Sequence, residues 1–290
     1  MNSIISFPNR GHWGQSSYRG NCSGYVQKEL IEQYNAKYFV DVCEGGGTSR
    51  DVCHELGIEY TGLDLRTGND YTRDSISSQI LRPADIVFSH SAYHNMIQYS
   101  GNMWGEANAN DHSRCETIAE YLEKSQVMLL NQREATRDGG MYCTLIGDMR
   151  KQGQFHSFQA DFIKMMPNDE LKGVVIKVQH NTMSGNKQYR NFKHPSIEHE
   201  YLILWEKSKK TMVQVVWDKA IEQKKAIVFT WRSLIRVVMM SLGKASLISI
   251  YKEVEILGSE LIINNKNWKA KVRQQLQIHH ENVERGVWAV

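Results

Sequence analysis

The sequence lacks any apolar stretch approaching the about 18 residues that a membrane-spanning helix needs, so no span is expected. Its opening, MNSIISFPNRG, has no basic segment followed by a long apolar one, so no secretory signal is expected either. The five cysteines (Cys22, Cys43, Cys53, Cys115, Cys143) are odd in number and scattered, and no C-x-x-C occurs. That argues against structural zinc and against a disulfide framework; no metal site is expected, and a reducing cytoplasm fits. Proline is scarce, confined to Pro8, Pro83, Pro167 and Pro195. Neither G-x-G-x-x-G nor a Gly-Lys-Ser/Thr loop is present, which disfavours pyrophosphate and triphosphate ligands.

What is present is a 290-residue chain with 41% hydrophobic and 23% charged residues, enough for one large packed domain and a small one. Charge divides unevenly. Residues 1–208 carry 21 Lys and Arg against 25 Asp and Glu, a net of −4, whereas residues 209–290 carry 14 against 7, a net of +7. A basic tail on a mildly acidic body suggests a polyanionic partner for the tail, the bland alternative being a solvated basic surface.

The stretch Tyr38 to Asp64 reads as strand, glycine loop, helix and strand. Tyr38-Phe39-Val40-Asp41-Val42 is followed by the loop Glu44-Gly45-Gly46-Gly47-Thr48-Ser49, a short helix to Leu56 stopped by Gly57, and a strand from Ile58 to Leu63. In an open α/β sheet such a unit holds a nucleoside: glycines let backbone approach the ligand, and an acid at the second strand's tip (Asp64) accepts ribose hydroxyls. Glu44 inside the loop repels phosphate and suits a positively charged ligand, such as the amino group and sulfonium of S-adenosylmethionine.

Residues 7–24 have loop composition and lead through Asn21, Cys22 and Ser23 into an expected helix at Tyr25 to Tyr34, with Ser23 as its N-cap. They form either a surface arm or a ligand loop. Asp70 or Asp74 is placed to pass beside the ligand's base. A strand at Ala84 to Phe88 ends in Ser89-His90-Ser91-Ala92-Tyr93-His94-Asn95, at the strand's carboxyl end, where chemistry sits in such sheets. Residues 99–114 read as a loop; Cys115 to Arg137 as a long amphipathic helix ended by Asp138-Gly139-Gly140; Met141 to Ile146 as a buried strand; Phe155 to Met166 as a helix. Strands follow at Gly173 to Val178 and Glu200 to Trp205, separated by a long polar loop that is a candidate substrate loop. The alternation predicts a doubly wound α/β sheet to about residue 207.

The tail reads as a connecting helix (Val213 to Ala226), then helices at Trp231 to Ser241, Leu247 to Leu257 and Asn267 to Gln277, and a hairpin turning at Arg285-Gly286. Three helices and a terminal hairpin make a winged-helix module, whose third helix presents Lys269, Lys271, Arg273, Gln274 and Gln277, side chains that read phosphates and base edges. A winged helix used for protein contacts is the competing reading.

Taken in order, these motifs resemble those of the S-adenosylmethionine-dependent amino-methyltransferases that act on DNA bases. Arg19 to Gly24, with Asn21, Cys22 and Ser23, resembles the segment cupping the cofactor's methionine end. Asp41 to Ser49 resembles the glycine loop, Gly62-Leu63-Asp64 (with Leu65) the ribose-binding strand end, and Ile197 to Trp205 the closing strand. His90-Ser91-Ala92-Tyr93 stands where the family has its catalytic tetrapeptide. The resemblance covers roughly residues 7–207, in the gamma motif order. It implies a Rossmann-like methyltransferase sheet with an antiparallel closing strand at 1–207, a connecting segment at 208–229 and a winged-helix domain at 230–290. It further implies S-adenosylmethionine as cofactor, double-stranded DNA as partner with a homodimer left open, and transfer to N6 of a flipped adenine. Trp104, Arg114, Trp268 and Arg285 join the tail residues as candidate DNA contacts, and Asp74 joins the cofactor set.

The tetrapeptide departs from the family, which has two prolines between the first residue and the aromatic. There the first side chain and the next carbonyl accept the amine's N–H groups, the prolines fix that carbonyl's direction, and the aromatic stacks on the base. Ser91-Ala92 does not preset it. Three readings therefore stand: an adenine methylase whose loop is held by packing, a homologue that binds cofactor and DNA with impaired catalysis, and a cytosine-N4 or RNA methyltransferase.

Overall fold

The computed structural model describes residues 1–180, 194–209, 231–263 and 265–289. The expected connecting helix at 213–226, and most of the polar loop at 180–199, lie outside the described residues. The chain divides into two compact units, Met1–Thr211 and Met212–Val290.

The first unit begins with β1 (Ile4–Ser6), α1 (Tyr25–Tyr34), β2 (Tyr38–Asp41), α2 (Thr48–Leu56), β3 (Glu59–Gly62) and β4 (Ala84–Ser89). It continues with α3 (Ile118–Ala135), β5 (Thr136–Ile146), the small hairpin β6 (Met149–Lys151) and β7 (Gln154–His156), α4 (Phe158–Met165), β8 (Leu171–Val178) and β9 (His199–Glu206). Seven strands form one sheet in the order β1-β8-β9-β5-β4-β2-β3. β9 is antiparallel to both neighbours, and every other pairing is parallel. This is the expected doubly wound α/β sheet, with one antiparallel closing strand.

The strands are apolar on both faces because helices cover both. Tyr38, Val40, Val87 and Tyr142 face Tyr121, Met128 and Leu129 of α3 and Phe158 and Phe162 of α4. Phe39, Ile86 and Phe88 face Val26 and Leu30 of α1 and Val52 of α2. A buried ion pair ties α3 to the lead-in of β8: Arg133 Nε and Nη2 each donate to Glu170 across 2.6 Å, and Tyr142 Oη adds a third bond at 2.5 Å.

The helix expected from Phe155 starts at Phe158, Phe155 lying in β7, and three further boundaries differ from expectation for physical reasons. The N-cap position of α1 falls on Gly24, one residue after Ser23, whose Oγ still accepts the Tyr25 N–H at 3.4 Å while donating to the Arg10 carbonyl at 3.1 Å. α3 starts at Ile118 because Thr117 Oγ1 accepts the Glu120 N–H and fixes the first turn. Gly139 and Gly140 do not stop α3 but lie in β5, held by bonds from Gly139 N to Lys207 O and from Lys207 N to Gly140 O.

The second unit comprises α5 (Trp231–Leu242), β10 (Lys244–Ser246), α6 (Leu247–Leu257), α7 (Ser259–Ile263), α8 (Trp268–His279) and the hairpin β11 (Glu281–Glu284) and β12 (Val287–Ala289). The three strands pair antiparallel in the order β10-β12-β11. Leu234, Ile235, Val238 and Met239 of α5 pack on Ile250 and Val254 of α6 and on Val272 and Leu276 of α8.

Candidate active site

The carboxyl ends of β2, β3 and β4 meet at one cleft. Backbone bonds knit them there: Val42 N donates to Phe88 O, Leu63 N to Asp41 O, and Glu44 N to Leu63 O. Gly45 (φ 51°) and Gly47 (φ 80°) take the left-handed conformation that turns the loop into α2. The N-terminal arm closes over this loop. Gln15 N donates to Gly46 O at 2.9 Å, Gly14 N to Asp51 Oδ2 at 2.8 Å, and the Asn21 amide lies on Gly46, where a Cβ would come within 2.7 Å of it.

The resulting cleft, ≈ 720 Å³ counted to its open mouth, gathers most of the expected cofactor residues. Asn21, Cys22, Asp41, Glu44, Gly45, Thr48, Ser49, Asp64 and Leu65 line it, together with His90, Ser91, Ala92 and Trp104. Four acids line it (Asp41, Glu44, Asp64 and Asp111), and none of its lining residues is Lys or Arg. Asp41 Oδ1 accepts from Cys43 N at 2.9 Å and Oδ2 from the Ser49 hydroxyl, yet burial, with Glu44 and Asp64 nearby, raises its carboxyl to about 7. Asp64 accepts from the Gly45 and Arg66 N–H groups, each at 2.8 Å, so the loop and the tip of β3 share one carboxylate. Glu44 accepts from Tyr60 Oη at 3.3 Å and lies 3.6 Å from Arg50. The Cys22 thiol, pushed up to about 11 by burial, is a protonated, inert wall residue.

Several expected residues stand elsewhere. Arg19 is exposed and does not line the cleft, and Ser23 is engaged with Arg10. Gly46 and Gly47 shape the loop without lining the cleft. The Asp74 carboxylate accepts from Asp70 N at 3.1 Å, away from the cleft. Arg114, expected on DNA, turns its guanidinium onto the Ser100 carbonyl (Nε at 2.9 Å) and braces the 99–114 loop.

The cleft also holds residues that sequence reading did not single out as ligand-facing: Tyr18, Tyr71, Tyr99, Asp111 and His112. Tyr18 stacks on Tyr99 with ring centroids 5.9 Å apart. Asp111 holds the loop by accepting from Ser100 N and Ser113 N, both at 2.8 Å. His112 is buried with neither ring nitrogen hydrogen-bonded; burial, aided by Lys124, lowers it to about 4, so it is neutral. These come from loops without periodicity; only the aromatic content of the loops pointed to them.

His90-Ser91-Ala92-Tyr93 leaves the end of β4 and turns inward. Tyr121 Oη donates to the Ala92 carbonyl at 3.0 Å. Tyr93, expected to stack on a base, does not line the cleft: its ring lies against Gly147, where a Cβ would come within 2.6 Å, and its hydroxyl donates to Glu200 Oε1 at 2.7 Å. His90 Nε2 is 2.8 Å from that hydroxyl. Burial keeps His90 below its usual value despite Glu200, so the ring is neutral.

In the second unit Lys269, Arg273, Gln274, Gln277 and Arg285 are exposed, while Lys271 and Trp268 are half-buried. Arg273 Nη1 donates to Tyr251 Oη at 2.8 Å, and Lys269 Nζ lies over the Tyr251 and Trp268 rings at 5.4 and 5.2 Å. Lys271 Nζ donates to Gln274 Oε1 at 2.8 Å.

No protein-family model matches the sequence, and no curated protein matches it. Among solved structures the chain is similar to TrmN from Thermus thermophilus, at 10% identity and a TM-score of 0.34, over 65% of this chain and 50% of that one. It thus spans about half of that protein's length. It is also similar to an rRNA methylase from Streptococcus thermophilus (12% identity, TM-score 0.34, 64% of this chain and 96% of that one). A third is human N-acetylserotonin methyltransferase, solved in complex with SAM (9% identity, TM-score 0.34, 64% and 52%). Likeness at this level says nothing of what the chain binds or does. Among the described residues no helix is long and apolar enough to cross a membrane, and no cluster could hold a metal ion.

Proposed function

We propose that the chain is an S-adenosylmethionine-dependent methyltransferase that modifies the exocyclic amine N6 of adenine flipped out of duplex DNA. The observation that carries this reading is the four-acid cleft without a lining cation, opening onto His90, Ser91 and Ala92. A cationic nucleoside fits it. Its positive charge offsets Asp41, Glu44 and Asp64, and the buried, unpartnered Thr48 hydroxyl supplies one more polar contact. When bound, S-adenosylmethionine supplies a methyl carbon made electrophilic by its sulfonium.

The protein's own part is to hold the nucleophile. An amine conjugated to a base ring is a weak nucleophile until acceptors turn its N–H groups aside. A neutral His90 is such an acceptor, and so is the Ser91 carbonyl. In place of prolines, hydrogen bonds fix the loop on either side, from Tyr121 to Ala92 and from Tyr93 to Glu200. Trp104, on the cleft wall, rather than Tyr93, is the aromatic ring we assign to the base face. The second unit is read as a winged helix, its α8 the recognition helix and its β11–β12 hairpin the wing.

The test is incubation of the full chain with methyl-labelled S-adenosylmethionine and duplex DNA, followed by digestion to nucleosides. Label in N6-methyl-2′-deoxyadenosine is expected. Label on cytosine N4, or on RNA in preference to duplex, would reassign the substrate. Cofactor binding with no label would leave a binding protein without catalysis.

A further inference from the structure

A tyrosine hydroxyl has one proton to donate, and Tyr93 gives it to Glu200 Oε1, a carboxylate oxygen with none. His90 Nε2 lies 2.8 Å from the same hydroxyl oxygen. With the tyrosine proton committed, that second contact exists only if Nε2 carries a proton and donates it. A neutral imidazole has a single N–H, so its lone pair is then on Nδ1.

Glu200 must be ionised for this chain of donors to run in one direction. It is buried on β9, directly across from Lys177 of β8 in the sheet register, and Lys177 Nζ donates to its other oxygen, Oε2, at 2.7 Å. Burial opposes the charge of Glu200, but Lys177, helped by the hydrogen bond from Tyr93, outweighs it and holds its carboxyl below the usual range. The titratable groups facing this cluster are Lys177 from β8, Glu200 from β9, Tyr93 from the loop itself, Cys43 beside the His90 backbone, Cys22 from the arm, and Tyr99 from the 99–114 loop, whose hydroxyl burial pushes up to about 12 and keeps neutral. Both thiols are raised by burial and stay neutral, leaving Lys177 and Glu200 as the charges.

We propose that Glu200, acting through the Tyr93 hydroxyl and kept ionised by Lys177, locks His90 in the Nε2–H tautomer, so that Nδ1 accepts one N–H of the target amine. Glu200, Tyr93 and Lys177 are positioning residues. The tautomer lock stands on the geometry alone; the acceptor role of Nδ1 rests on the methyltransferase reading. The arrangement gives a reason for an aromatic in the fourth place of the loop that is independent of stacking.

The experiment is a long-range nitrogen–proton NMR spectrum of the full chain with labelled histidine, His90 being assigned by difference from His90→Gln. Near neutral pH, without ligand, the ring should show a protonated Nε2 and a bare Nδ1. A protonated Nδ1 would overturn the proposal; the tautomer is read on the unsubstituted chain, and His90→Gln serves only to assign the signal. In Tyr93→Phe the ring should become a tautomer mixture, and kcat should fall about tenfold, as for one lost buried hydrogen bond, with KM for S-adenosylmethionine unchanged. Glu200→Gln should move the acid limb of the kcat profile to lower pH, because it removes the charge that raises His90, whereas a purely structural role would leave that limb in place. An unchanged ring tautomer in Tyr93→Phe would also overturn the lock. A locked ring in a protein that methylates no amine would retain the lock and reject the methyltransferase reading.

Discussion

Tyr121 donates its hydroxyl proton to the carbonyl of Ala92 across 3.0 Å, from the middle of the core to the loop that leaves β4. This bond does for the loop part of what a fixed proline φ would do. Removing it by Tyr121→Phe keeps the ring and its packing against Phe158, with centroids 4.7 Å apart, and frees the carbonyl. The expected loss is about 1 kcal/mol of loop positioning, or roughly five- to tenfold in kcat, with cofactor affinity unchanged. Steady-state methylation assays and calorimetric titration of the cofactor check both halves.

The converse change should help. Among the described residues no hydrogen bond from the Ser91 or Ala92 N–H is present, so proline costs no backbone bond there. The double substitution Ser91→Pro, Ala92→Pro is expected to raise kcat, measured on duplex DNA with label counted in nucleosides. An unchanged rate would mean that Tyr121 and Tyr93 already hold the loop fully.

Asp41 makes ligand binding depend on pH. Its carboxyl, ordinarily near 3.8, is raised to about 7 by burial and by Glu44 and Asp64. Between those values the folded chain keeps a proton that the unfolded chain has lost, so the ligand-free protein loses stability as pH rises through that window. A cationic ligand favours the ionised acid and releases the proton. Affinity for S-adenosylmethionine should therefore rise by about tenfold from pH 6 to pH 8, with proton release seen as a buffer-dependent binding enthalpy. Ser49→Ala removes the hydroxyl that donates to Asp41 and should shift this rise to higher pH.

The Arg133–Glu170 pair sets the stability of the first unit. Glu170 is fully buried and accepts from Arg133, Tyr142 and Ser208 N. Glu170→Leu leaves the guanidinium buried without its partner and should destabilise by about 3–5 kcal/mol, measured by urea unfolding followed by the tryptophans of the full chain.

On the second unit, Lys269 and Arg273 flank Trp268 and Tyr251 on an exposed face. Replacing both by alanine should weaken binding to all duplex sequences alike. The slope of log K against log salt should fall by about two, read from fluorescence anisotropy at several salt concentrations.

Much of this was legible in the sequence where local pattern and tertiary role coincide. The unit from Tyr38 to Asp64 folds as read because a short apolar strand, a glycine loop and a capped helix each depend on near neighbours. The helix from Leu247 to Leu257 likewise has the expected ends, set by the Ser246 cap and Gly258. What was not legible depended on distant partners. β5 absorbs Gly139 and Gly140 because Lys207 pairs with them. Tyr18 reaches the cleft from the N-terminal arm and Tyr99 and His112 from the 99–114 loop, two segments that only the fold brings together. The inward turn of Tyr93 requires Gly147 to make room and Glu200 to receive its proton, and neither lies near it in the chain.

β1 pairs with β8 through Ile4 and Ile176, two positions separated by most of the first unit. During synthesis Ile4 emerges long before its partner exists; at ~5–20 residues per second the wait is on the order of ten to thirty seconds. The first strand to be made therefore joins the sheet only after β8, and through it β9, has been made, while the glycine loop between β2 and α2 at the other end needs only its near neighbours. A nascent chain of this protein builds its glycine loop before it is able to cover its own edge.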